Sequence, residues 1–198
     1  MKPVSPSPPA NDPHTVHGMS DDELFQALSG VKAQADRAFA ELYSRHSTRI
    51  WAYCRTVFGD HVQAEDVFQE AFTRFLEQGQ KGTVVRNVPA YLLIITRNLC
   101  LNAKRDAKES VAIEEFHMTV NDRPFENKEL LELVNRAMAL LTEEQREAFF
   151  LREYEDLPYN DISAVLGITA LSARLRVSRA RQRIREILQP YVAELMQS

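Results

Sequence analysis

From Gly167 to Arg185 the chain reads Gly-Ile-Thr-Ala-Leu-Ser-Ala-Arg-Leu-Arg-Val-Ser-Arg-Ala-Arg-Gln-Arg-Ile-Arg, and no other stretch narrows the choice of fold so far. Ala173, Val177, Ala180 and Ile184 recur at steps of four, three and four, which draws one apolar stripe down a helix. The other faces carry Arg174, Arg176, Arg179, Arg181, Arg183 and Arg185, with no acid among them. In a chain of net charge −4, so concentrated a positive helix calls for a polyanionic partner, and the phosphate backbone of nucleic acid is the natural one. Thr169 is a good N-cap for it, and Gly167 can take the left-handed conformation that ends the helix before. That preceding helix, from Pro158 to Leu166, has Ile162, Val165 and Leu166 on one side. Helix, glycine turn, basic helix is the helix-turn-helix pattern, whose second helix enters the major groove. A solvated basic face or a membrane-surface segment is the rival use of such a helix. Neither explains the capped turn and its short companion.

The remaining sequence excludes more than it specifies. A chain of 198 residues with 44% hydrophobic content can build one or two small cores. The longest apolar run, around Tyr91 to Ile95, is far too short to cross a bilayer, so no membrane insertion is expected. The N-terminus has no apolar signal-peptide region, which predicts a cytoplasmic protein. Cys54 and Cys100 each fall within an apolar-periodic helix and read as buried small hydrophobes. The histidines form no cluster with ligand spacing, and neither a glycine-rich phosphate loop nor a nucleophile or zinc motif occurs. No metal, no cofactor and no enzymatic activity are therefore expected.

Taken in order, residues 1–19 hold prolines at 3, 6, 8, 9 and 13 and read as a disordered extension. Ser20-Asp-Asp-Glu is a capping box that opens a helix with Leu24, Phe25 and Leu28 inward. A longer helix follows Gly30, with Phe39, Leu42, Ile50, Tyr53 and Cys54 on its apolar side. Beyond Gly59 and Asp60, a helix from about Val62 to Gln78 turns Ala64, Val67, Ala71, Phe72 and Phe75 inward. Its opposite face shows Glu65, Asp66, Gln69, Glu70 and Thr73, a patch that pattern alone reads as ordinary solvation. A basic loop leads to Pro89, well suited to the first turn of a helix that reaches about Arg105. That helix begins apolar nearly all round and ends with Arg97, Asn98, Asn102, Lys104 and Arg105. It suits equally a helix emerging at a nucleic-acid surface and a core helix with a snorkelling basic tail. From 106 to 127 the periodicity dissolves into an acidic segment that reads as a flexible linker. Residues 128–198 resume helical spacing, with a second capping box at Thr142-Glu-Glu-Gln and four helices that should form a self-standing domain. Nothing alternates as a strand does, so the expected fold is all-α: two small helical domains, 20–105 and 128–198.

These segments together resemble a known family. Leu141-Thr-Glu-Glu-Gln-Arg-Glu-Ala-Phe-Phe-Leu-Arg, Leu157-Pro-Tyr-Asn-Asp-Ile-Ser-Ala-Val-Leu-Gly-Ile and Val177-Ser-Arg-Ala-Arg-Gln-Arg-Ile resemble region 4 of bacterial RNA polymerase sigma factors. LuxR-type regulators carry a similar four-helix domain, but the first half discriminates. Gln63-Ala-Glu-Asp-Val-Phe-Gln-Glu-Ala-Phe resembles sigma region 2.2, and Pro89-Ala-Tyr-Leu-Leu-Ile-Ile-Thr-Arg-Asn-Leu-Cys-Leu-Asn resembles regions 2.3 and 2.4 of the extracytoplasmic-function (ECF) subgroup of the sigma-70 family. A LuxR-like regulator would need a ligand or phosphoacceptor unit in that place.

The resemblance implies partners and sites. Core RNA polymerase would be met through the β′ clamp coiled coil and the β flap, with Glu65, Asp66, Gln69 and Glu70 on the clamp. Lys81, Arg86, Arg97, Asn98, Asn102, Lys104 and Arg105 fall where the family holds the −10 element of promoter DNA. Thr169, Leu171, Ser172, Arg174, Leu175, Arg176 and Arg179 fall on the helix that reads the −35 element. The family commonly has Gly, Val and Ser where this chain has Leu171, Ala173 and Leu175. Leu171 and Leu175 lie opposite the apolar stripe, where they are expected to meet thymine methyls. Docking an inhibitory partner such as an anti-sigma factor is their rival use.

Overall fold

The computed structural model describes residues 16, 18–58, 61–107, 133 and 136–195. Most of the N-terminal extension, nearly all of the acidic linker and most of the first helix expected after it lie outside these residues. Among the described residues every regular element is a helix.

Four helices make the first half. Helix α1 (Asp21–Ala27) opens on its capping box: the Ser20 hydroxyl accepts from the Glu23 amide, and the Ser20 amide donates to Glu23 at 2.8 Å. Helix α2 (Lys32–Phe58) buries Ala38, Leu42, Ile50, Tyr53 and Cys54, one residue per turn or so along one face. His46 lies on that same face and pairs with Asp21 across 2.7 Å, fastening α1 to α2. Helix α3 (His61–Gln80) lays Phe72 and Phe75 into the same core, where Phe75 meets Phe25 at 4.9 Å between ring centres. Near its end Gly79 is buried against Leu28, and a Cβ built there would stand 2.8 Å from the Cβ of Leu28. Only glycine allows α1 and α3 to approach so closely at that point. Helix α4 (Val88–Ala107) starts from Asn87, whose side-chain oxygen accepts from the Ala90 amide at 3.0 Å. Its first two turns are buried through Val88, Ala90, Leu92 and Leu93, as expected of a helix that enters the core before it emerges.

Three further helices follow the stretch 136–141. Helix α5 (Glu143–Glu153) is opened by the Thr142–Gln145 capping box. Helix α6 (Tyr159–Leu166) stops at Gly167, which adopts φ +66° and so provides the left-handed end. Helix α7 (Ala170–Leu195) is capped by Thr169, whose hydroxyl accepts from the Ser172 amide at 3.1 Å, and runs on to Leu195, well past the arginine-rich part. Ala173, Val177 and Ala180 are fully buried against α5 and α6, the stripe expected from their spacing.

The two halves do not stand apart. A single apolar cluster runs from Leu24 and Phe75 through Leu92 and Leu99 to Phe150, Ile162 and Val177. Tyr53 of α2 meets Phe150 of α5 edge-on at 6.0 Å, and α6 packs on α4. The self-standing second domain of the sequence reading is thus a unit with a second apolar face, which α2 and α4 cover. A smaller cluster of Met138, Leu141 and Ala180 belongs to the second half alone.

Candidate nucleic-acid interface

Three surfaces carry the residues singled out by sequence. On α3, Glu65, Asp66, Gln69 and Glu70 are all exposed and occupy adjacent turns of one face. Gln69 donates to Glu65 at 3.3 Å, and Glu70 pairs with Arg74 at 2.6 Å, one turn on. Such exposed pairs contribute little to stability, so the face remains available to a cationic partner.

On α4 the polar end divides into two stripes. Asn98, Asn102 and Arg105, at steps of four and three, are exposed to solvent. Arg97, Leu101 and Lys104, displaced by about 100° around the helix, face α5. There Arg97 Nε donates to Glu147 at 2.8 Å and Lys104 Nζ meets Glu143 at 2.5 Å. The Tyr53 hydroxyl also donates to Glu147, at 2.5 Å. A cavity of about 170 Å³ lies at this junction, lined by Tyr53, Arg97, Cys100, Lys104, Glu143 and Glu147 among others. Lys81 and Arg86 stand exposed on the loop before α4, which turns at Gly82 with φ +73°.

On α7, Leu171 and Leu175 are 67% and 46% exposed, opposite the buried stripe. Arg174 and Arg179 are also exposed, whereas Ser172 and Arg176 are half-buried. The helix is less free of acids than its own sequence suggests: Glu144 of α5 lies 3.6 Å from Arg176, and Glu153 pairs with Arg181 at 2.6 Å.

Several residues here had no signal in the sequence. The Tyr159 ring takes two guanidinium groups, with Arg152 5.3 Å and Arg174 5.2 Å from its centre. Asn87 donates to Asp161 at 2.8 Å, so the cap of α4 is also a bond to α6. Arg49 of α2 pairs with the buried carboxylate of Glu155 and donates to its backbone carbonyl at 2.6 Å. Burial pushes the Glu155 carboxyl above its ordinary value, and Arg49 offsets only part of that. Glu143 and Glu147, one turn apart on α5, are likewise residues that the sequence reading did not single out. Cys54 and Cys100 are buried free thiols, and contact with Cys54 together with burial holds the Cys100 thiol well above the ordinary range.

Residues 42–110 match the family described as Sigma-70 region 2, and residues 131–184 match Sigma-70, region 4. The two matches occur in the family's order and take in more than half of the sequence. The chain belongs to the sigma-70 family. It is a sigma factor of the ECF subgroup, and its family is one of non-enzymatic transcription initiation factors. It is similar to the ECF RNA polymerase sigma factor SigL of Mycobacterium tuberculosis, 27% identical over 168 residues that span 82% of this chain and 95% of the relative. It is likewise similar to the RNA polymerase sigma factor CarQ of Myxococcus xanthus, 27% identical over 163 residues, 78% of this chain and 91% of the relative. Among solved structures, the fold resembles the sigma factor RpoE of Bartonella quintana in complex with the anti-sigma factor NepR, with a TM-score of 0.65 and 24% identity over 77% of this chain and 98% of that one. CnrH in complex with the cytosolic domain of CnrY gives a TM-score of 0.63 at 21% identity, over 86% of this chain and 99% of that one. No helix among the described residues of this sigma factor is long and apolar enough to cross a membrane.

Proposed function

We propose that this sigma factor divides its work among the three surfaces. The acidic face of α3 docks on the β′ clamp coiled coil of core RNA polymerase through Glu65, Asp66, Gln69 and Glu70. The polar end of α4 holds the opened −10 strand through Arg97, Asn98, Asn102, Lys104 and Arg105, with Lys81 and Arg86 on the preceding loop. The α6–α7 helix-turn-helix lies in the major groove at −35, where Leu171 and Leu175 touch thymine methyls while Ser172, Arg174, Arg176 and Arg179 meet neighbouring bases and phosphates. Thr169 contributes by fixing the first turn of that helix. On this reading residues 20–105 form the polymerase and −10 unit and residues 128–198 the −35 unit. A second polymerase contact, to the β flap, belongs to the latter.

The observation that carries this reading is charge of opposite sign segregated on separate helices. The face at Glu65–Glu70 is acidic and solvent-exposed, while α4 and α7 end or run in arginines. Acidic docking on a basic coiled coil sets orientation and on-rate, and arginines on phosphate set salt-dependent affinity. Two exposed leucines on α7 also offer a grip to an inhibitory protein, and the similar Bartonella sigma factor is held in complex with an anti-sigma factor, NepR.

Run-off transcription with core polymerase on a randomised promoter library tests the reading. It should yield transcripts with two selected elements spaced as −35 and −10. Transcripts no more abundant than with core enzyme alone would overturn it.

A further inference from the structure

The stripe of α4 that faces α5 holds Arg97 and Lys104, two of the five cations assigned above to the −10 strand, and α5 meets them with carboxylates. Glu143 and Glu147 stand one turn apart, about 6 Å along a helix, a spacing close to that of successive phosphates. They engage Lys104 at 2.5 Å and Arg97 at 2.8 Å. Glu147 is 17% exposed and receives the Tyr53 hydroxyl as well, so this carboxylate is seated rather than merely nearby. Two further links hold the halves together away from this stripe: Arg49 with Glu155, and Asn87 with Asp161 at 2.8 Å. A nucleic-acid strand and α5 cannot both lie on Arg97 and Lys104.

We infer that the cationic stripe of α4 is a docking surface with two mutually exclusive occupants, the promoter strand and the acidic face of the chain's own α5. This rests on the −10 reading of α4. In the free chain α5 holds the stripe, and Asn98, Asn102 and Arg105 stay exposed as the first contact for incoming DNA. In holoenzyme the two halves separate to reach two promoter elements, and the carboxylates leave. The apparent affinity of the free protein for single-stranded DNA is then its intrinsic affinity multiplied by the fraction of molecules in which α5 is off α4.

The test uses the full chain and the double substitution Glu143→Gln, Glu147→Gln, which keeps side-chain volume and one acceptor oxygen at each position while removing both charges. The probe is a fluorescent single strand carrying the −10 sequence selected in the promoter library, read by anisotropy at fixed salt. The variant should bind it about three- to tenfold more tightly than the native chain, because two partly screened ion pairs are lost from the closed form. Transcription from preassembled holoenzyme should stay at the native level. Equal affinity in native chain and variant, with the helical circular dichroism intact, overturns the inference. Should the variant fail to fold, small-angle scattering on the native chain decides: saturating strand should enlarge its radius of gyration, and an unchanged radius overturns the inference. A native chain that supports no promoter-directed transcription would instead remove the −10 reading itself, a result that the variant cannot produce.

Discussion

Arg174 shows how a single residue can be prepared for its task. Its guanidinium lies 5.2 Å from the Tyr159 ring centre, on the helix that leads into the turn. A long flexible cation held on an aromatic face loses less entropy when it reaches a base or phosphate. Tyr159→Leu should therefore weaken binding to a −35 duplex about two- to fivefold, as expected for loss of one exposed cation–π contact, while Tyr159→Phe stays near native. Fluorescence anisotropy on both variants checks this, and equal affinities for all three proteins would exclude a positioning role. His46 sets a pH limit at the same scale. Burial lowers its pKa below 6.5 despite Asp21 beside it, with Arg45 and Arg49 acting in the same direction as burial. The folded protein then binds fewer protons at His46 than the unfolded chain does. The stability tied to this histidine is present above pH 6.5 and is lost as pH falls through the lower folded value. Urea midpoints measured between pH 7.5 and about 5 should fall in the native chain and flatten in His46→Gln. The raised Glu155 carboxyl acts with the opposite sign, costing stability as pH rises from 4.5 through its folded value, so the difference between the native chain and His46→Gln isolates the histidine.

Helices were legible in the sequence because each declares itself more than once. Ser20 and Glu23, Thr142 and Gln145, Gly167, and Thr169 each mark a helix end by local chemistry, and the structure forms both capping boxes and the left-handed turn. The buried stripes Ala64–Val67–Ala71–Phe75 and Ala173–Val177–Ala180 follow from helical spacing alone. Which helices meet was not legible. Helical spacing alone does not show that Glu143 and Glu147 meet α4, and the acids that neutralise Arg176 and Arg181 come from α5, not from the basic helix itself. Gly79 was silent for the same reason, because its constraint is set by Leu28 across the bundle. Gly79→Ala should destabilise the chain by about 1–3 kcal/mol, since Leu28 must move out of a filled site. Chemical denaturation measures it, and a shift below about 0.5 kcal/mol would show that α1 adjusts freely. On α7, Arg179 is exposed, and Arg179→Ala should reduce the salt slope of duplex binding by about one while leaving the selected −35 sequence unchanged.

At the scale of the molecule, one continuous apolar cluster reaches from α1 to α7, although the sequence reads as two units separated by an acidic stretch. Apolar periodicity reports that a face is buried, but not whether its cover comes from the same unit. Tyr53 and Phe150 could each have filled its own half, and instead they meet. The arrangement leaves the acidic face of α3 exposed and away from the contact between the halves, so the proposed polymerase contact does not require the halves to open. Polymerase binding through that face is what every other assignment depends on. The most direct measurement is the affinity of purified core RNA polymerase for the native chain and for Asp66→Lys, Glu70→Lys. Both side chains are exposed, so the fold should survive the change. The native chain should be retained, and the charge reversal should weaken binding at least about tenfold, more at low salt than at high salt. Failure of the native chain to bind, or binding by the variant at native strength, would contradict the account.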